Sequence, residues 1–156
     1  MKVLDLTPLD FGQTAINEIL LPHGIIGFSA YKRAELLYLP DNLPFLWLRL
    51  CGPENLDPVH FVVMEPGSFV PGYEPEIFDE DAEQLGIESA ADAMLLNIVT
   101  LRNNQPADAS INLVGPLIVN RRTRTGRQLV ISNYARYSAH HPLIDHSREP
   151  AFAQTA

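Results

Sequence analysis

Phe45-Leu46-Trp47-Leu48-Arg49-Leu50-Cys51 reads as the clearest strand of the chain. Side chains alternate along an extended backbone, so Phe45, Trp47 and Arg49 share one side while Leu46, Leu48 and Leu50 share the other. Apolar residues on both sides predict a strand covered on both faces, and Gly52-Pro53 stops it. Working outward, the same pattern gives strands over Ile16 to Leu21, Glu35 to Leu39, His60 to Met64, Met94 to Leu101, Ser110 to Val114 and Leu117 to Asn120. Arg121 to Gly126 is read as the tip of a hairpin that returns as Arg127 to Ile131, and Phe11-Gly12 as an early turn. One short helix is expected: Asp79 as its cap, Glu80, Asp81 and Glu83 in its first turn, Gly86 after Leu85 as its stop. Ser89 with Asp92 repeats a capping pattern over a single further turn. Many short strands punctuated by turns predict a mainly β, antiparallel, barrel-like domain with a few short helices. Crossover helices are too few for a doubly wound parallel sheet.

Composition agrees. At 156 residues the chain suits a single domain, and 46% apolar against 19% charged residues is enough to build a core. Thirteen prolines and nine glycines argue against long helices. The domain is expected over 1–144, with a small, polar, flexible tail over 145–156. The single Cys51 excludes an internal disulfide and suits a reducing cytosol. No stretch reaches the roughly 20 apolar residues of a membrane span, and Met1-Lys2-Val3-Leu4-Asp5 has no secretory pattern, so a cytoplasmic protein is expected.

Charge is distributed unevenly. The net charge is −8, which disfavours bulk binding of nucleic acid and favours a basic partner. Between Leu50 and Leu101 stand eleven carboxylates and no lysine or arginine, a net −11. From Arg102 to Arg136 six arginines face only Asp108, a net +5. The plainer reading of the acids is a solvated helix start. The functional reading is an anionic surface for a cationic protein, with Glu74 and Glu76 pointing the same way along an extended, proline-stiffened segment. Tyr73 is either an anchor for such a partner or part of the core. The arginines of Arg121 to Arg127 admit an RNA-binding reading, but no aromatic residues interleave to stack bases, and a charge-blunted edge hairpin explains them more simply.

Motifs of chemistry are missing: no phosphate loop, GxGxxG, GxSxG or HExxH occurs. His140, His141 and His146 raise the alternative of a metal-binding barrel, yet no cysteine or spaced carboxylate joins them. His60 and Cys51 are expected to be packed into apolar strands. A non-enzyme with no cofactor and no metal is expected.

The ordered motifs go further. Leu21-Pro22-His23-Gly24-Ile25-Ile26-Gly27-Phe28 resembles the FPxGIxGF signature of the FliW family, with Leu21 where Phe is usual. The resemblance continues through Phe61-Val62-Val63-Met64-Glu65-Pro66, Pro71-Gly72-Tyr73-Glu74-Pro75-Glu76, the Asp79 to Ile87 helix, Asn112 to Asn120, and Tyr137-Ser138-Ala139-His140-His141-Pro142-Leu143. It spans roughly residues 11–143 in order. It implies an antiparallel barrel-like fold and a partner switch: binding CsrA, an RNA-binding translational repressor, away from its RNA surface, with flagellin competing for the same protein. No direct contact with nucleic acid or membrane is implied. Carried over by motif position, Glu74 and Glu76 would pair with cationic groups beside Tyr73. Asn112, Ile118 and Asn120 would add polar and apolar contact. Gly115 stands where Ala is common, and Pro75 where an aromatic is usual. Pro75 lacks a backbone donor, which counts against ladder pairing of that segment.

Overall fold

The computed structural model describes residues 2–3, 16–38, 41, 43–101 and 108–143. Eleven strands run through them: β1 (Lys2–Val3), β2 (Ile16–Leu20), β3 (Arg33–Leu37), β4 (Leu46–Cys51), β5 (Val59–Met64), β6 (Glu76–Ile77), β7 (Ala93–Leu101), β8 (Ala109–Ile111), β9 (Leu117–Asn120), β10 (Gly126–Gln128) and β11 (His141–Pro142). The one α-helix among the described residues is α1 (Asp79–Gln84). The Phe11-Gly12 turn and the 145–156 tail fall outside the described residues.

The chain is mainly antiparallel β, as its alternation predicts. A nine-stranded sheet has the backbone order β10-β9-β7-β5-β4-β3-β2, with β8 on β7 and β11 on β8. The barrel is loose, because no ladder closes it among the described residues. Its two ends meet at Leu20, whose N–H donates to the Arg124 carbonyl at 2.8 Å and which bridges Thr125. Gly126 permits this approach: a Cβ there would lie 3.0 Å from Val119 Cγ2 and 3.3 Å from Ile19 Cγ2.

Two cores result. The inner one joins Ile19, Leu36, Leu48, Leu50, Met94, Leu96 and Val119. The other joins Tyr73, Ile77, Leu85, Leu95, Ile111, Ile118 and Ile131 under α1 and the segment leading to it. β7 serves both: Met94 and Leu96 point inward, while Ala93 and Leu95 point to the second core. It pairs with β9 over its first half and with β5 and β8 over its second.

β7 and β9 are therefore the strands buried on both faces. For β4 the expectation needs correcting. Leu46, Leu48 and Leu50 are buried, but Trp47, Arg49 and Cys51 are only half-buried, because nothing apolar in β3 or β5 shelters Arg49. Its neighbours in register are Glu35 and His60. Arg49 Nε lies 3.7 Å from Glu35 Oε1. His60 is exposed, not packed. Cys51 Sγ donates to Glu35 Oε1 at 3.4 Å, and partial burial with that carboxylate pushes its thiol up, away from thiolate reactivity.

Local signals mostly act as read. Gly86 (φ +71) ends α1, with Gly86 N–H on the Glu83 carbonyl and Ile87 N–H on the Ala82 carbonyl. Ser89 and Asp92 form a complete capping box. The helix start differs by one residue. The N-cap is Phe78, extended and without a side-chain cap bond, so Asp79 joins Glu80 and Asp81 in the first turn, where they complement the helix dipole.

Gly24 (φ +63) turns the signature loop, and a Cβ there would run into the Phe28 carbonyl. Gly24→Ala is expected to cost about 2 kcal/mol, lowering Tm by roughly 4–8 °C in a thermal melt. An unchanged Tm would contradict the close approach.

Candidate protein-binding site

The segment before α1 alternates. Tyr73, Pro75 and Ile77 are buried, Glu74 and Phe78 are exposed, and Glu76 is half-buried. Pro75 cannot donate to a ladder, but pairing begins directly after it, contrary to expectation: β6 runs antiparallel to β1, with Val3 opposite Glu76 and Lys2 opposite Ile77. Around Pro75 itself the backbone is also held from 132–137. The Asn133 amide spans the proline: its Oδ1 accepts from Glu76 N–H at 3.0 Å, and its Nδ2 donates to the Glu74 carbonyl at 2.8 Å. Ser132 N–H reaches the Glu76 carbonyl at 2.7 Å, and Glu74 N–H donates to the Tyr137 hydroxyl at 2.9 Å. The N–H and carbonyl groups of Glu74 and Glu76 are thus all paired, and the alternation sets both glutamates on the face opposite Tyr73, Pro75 and Ile77.

Tyr73 anchors that strip from below. It is 4% exposed, and its hydroxyl donates to the Leu113 carbonyl at 2.6 Å while accepting from Asn97 Nδ2 at 3.3 Å. Its ring meets Tyr137 edge-on, with centroids 4.9 Å apart. Burial pushes its phenol well above the ordinary value, so it stays neutral.

Large apolar side chains flank the carboxylates. Phe78, Val130 and Tyr134 are 49%, 47% and 55% exposed, the last two on either side of the Ser132–Glu76 pairing point. Glu74, Glu76, Glu80 and Glu83 make no ion pair among the described residues. Asp92 is different: backbone N–H groups of Ser89 and Glu88 engage its carboxylate and hold it below the ordinary carboxylate range. The outcome is an acidic strip with an apolar margin, the composition of a partner-binding rim and anchor.

The other site residues lie elsewhere. Ile118 (0% exposed) sits in the second core, and Asn120 is 1% exposed. Asn120 Nδ2 donates to the Leu85 carbonyl at 2.8 Å and the Gly86 carbonyl at 3.3 Å. Its Oδ1 accepts from Arg122 and Thr123 N–H groups. It ties the end of α1 to the hairpin turn. Asn112 closes a similar turn, its Oδ1 accepting from Val114 and Gly115 N–H groups. Asparagine favours such turns because its short side chain reaches the backbone two and three residues on. In the chain alone, then, Tyr73, Ile118 and Asn120 offer no surface, and the Asn112 amide is engaged within its own turn.

The arginine hairpin folds back beside the acids, a proximity the sequence does not announce. Arg127 Nη1 donates to Gln84 Oε1 at 2.8 Å, and Arg121 Nε to the Ala93 carbonyl at 3.2 Å. Arg121, Arg124 and Arg127 are half-buried, leaving Arg122 exposed. His140 is exposed and His141 half-buried, while His146 lies outside the described residues. Among the described residues no group of three His, Cys, Asp or Glu side chains comes together to hold a metal ion. No helix among them is long and apolar enough to cross a membrane.

The family profile described as FliW protein matches residues 5–143, nearly the whole chain. The chain belongs to the FliW family. Flagellar assembly factor FliW of Natranaerobius thermophilus is 32% identical over 145 residues, covering 91% of this chain and 93% of that one. The protein of the same name from Moorella thermoacetica is 33% identical over 140 residues, covering 88% and 86%. A crystal structure of the flagellar assembly factor FliW superposes with a TM-score of 0.71 at 30% identity, covering 90% of this chain and 93% of that one. These relatives are flagellar assembly factors by name, and the resemblance in the Leu21 to Phe28 loop and the Asn112 to Asn120 segment is family membership.

Proposed function

We propose that this FliW-family chain is a cytoplasmic flagellar assembly factor that transforms no substrate: it binds CsrA, relieves repression of flagellin translation, and also binds flagellin. The observation that carries the reading is the strip of carboxylates Glu74, Glu76, Glu80 and Glu83, which meet no counter-ion among the described residues and are bordered by Phe78, Val130 and Tyr134. A protein that binds RNA must present cationic surface, and unpaired carboxylates steer it in while the apolar margin supplies the contact area. Glu74 and Glu76 make the contact. Tyr73, Asn112, Ile118 and Asn120 hold its shape from within.

Gel filtration of the purified protein mixed with CsrA, and separately with flagellin, tests this at moderate salt. Co-elution with each is expected, and co-elution with neither overturns the reading. Filter binding to flagellin-leader RNA, without CsrA, is expected to show none. Tight, salt-sensitive retention would transfer the function to the Arg121 to Arg127 hairpin.

A further inference from the structure

Beside Tyr137 lies a cleft of about 350 Å³. Its floor is apolar, made by Val70, Leu113 and the Tyr73 and Tyr137 rings, and Arg136 and His141 stand in its wall. Among the described residues no carboxylate lines it, although the chain carries 19 acidic residues against 11 lysines and arginines.

The floor needs nothing polar from a ligand. Leu113 N–H is bonded to the Ser138 carbonyl at 3.1 Å, and the Leu113 carbonyl takes the Tyr73 hydroxyl. Arg136 differs: it is exposed, its guanidinium carbon lies 5.9 Å from the Tyr137 ring centroid, and no carboxylate meets it among the described residues. A guanidinium laid on a ring keeps its donor fork free for a carboxylate. The volume is at the small end for a binding pocket and suits one large apolar side chain with its neighbours.

We propose that this cleft is a second docking site, for a peptide segment bearing one large apolar side chain beside carboxylates. The apolar group fills the floor, and Arg136, with His141 next to it, takes the acid. The site goes beyond the proposed function, having opposite charge to the Glu74 strip and sharing with it only the Tyr73 and Tyr137 rings.

The test is an amide-resolved NMR titration of the full chain with three capped pentapeptides. One has Phe between two pairs of acidic residues, one has Ala in place of Phe, and one has Phe between two pairs of lysines. The first is expected to shift the amides of Val70 to Tyr73, Leu113 and Arg136 to His141. The Ala peptide should bind roughly fivefold more weakly, and Arg136→Glu should weaken the first roughly tenfold. Arg136→Lys should retain part of the binding. The lysine peptide should shift Glu74 to Glu83 instead. No response at the cleft, entry of the lysine peptide into it, or indifference to Arg136→Glu would overturn the proposal. CsrA association separates the two sites. Arg136→Glu is expected to leave it unchanged and Glu74→Lys to slow it, so either site can fail alone.

Discussion

Exchanging both Glu74 and Glu76 for lysine is expected to slow association with CsrA by at least roughly tenfold while leaving Tm within about 2 °C. The two side chains point out of a strip whose backbone is secured by Asn133, Ser132 and Tyr137, so no internal bond depends on them. Neither forms an ion pair in the described residues, so reversal removes no stabilising contact. Surface changes of that kind usually move stability by about 0.5 kcal/mol or less. The effect on encounter is larger, because four units of charge change at the point of approach, within a Debye length of about 8–10 Å. It should appear in the association rate and shrink as salt is raised. Equal loss of Tm and affinity, or an association rate that ignores both charge and salt, would contradict it.

Asn120→Ala should behave in the opposite way. The side chain joins the Leu85 and Gly86 carbonyls to the Arg122 and Thr123 N–H groups, at 2.8–3.3 Å, with 1% exposure. Alanine leaves several of these buried groups without a partner, at a cost of about 3 kcal/mol, or a Tm lower by roughly 6–12 °C. Denaturant unfolding followed by circular dichroism measures it. Affinity of the folded fraction for CsrA should hardly move, since Asn120 reaches no surface. A stable variant with strongly reduced affinity would make Asn120 a contact residue after all.

These residues show where a sequence speaks and where it falls silent. Alternation in Leu46 to Leu50, the Gly86 stop and the Ser89–Asp92 box are local, and all three sit in the fold as read. Glu74 and Glu76 are legible as an outward pair because period-two spacing is local too. What lies across the chain is not legible. Asn133 and Tyr137, about sixty positions away, hold the backbone on both sides of Pro75, and β1, more than seventy positions earlier, pairs with the two residues after it. A turn-forming asparagine and a contact asparagine look alike in sequence: the resemblance implied partner contact at Asn112 and Asn120, and both side chains close turns. The burial of both faces was legible in composition but assigned to β4, whereas β7 and β9 carry it, because only they lie between the two cores. Phe78, Val130 and Tyr134 carried no signal, since exposure of a large apolar side chain depends on what the fold leaves uncovered.

Hydrogen exchange of the chain, alone and in complex with CsrA, probes most directly whether the acidic strip is the surface that touches its partner. Slowed exchange should be concentrated in Glu74 to Glu83 and Val130 to Tyr137, with β2 to β5 unchanged. Protection falling instead on the Arg121 to Arg127 hairpin or on the outer face around Arg49 and His60, with the strip exchanging as freely as before, would contradict it.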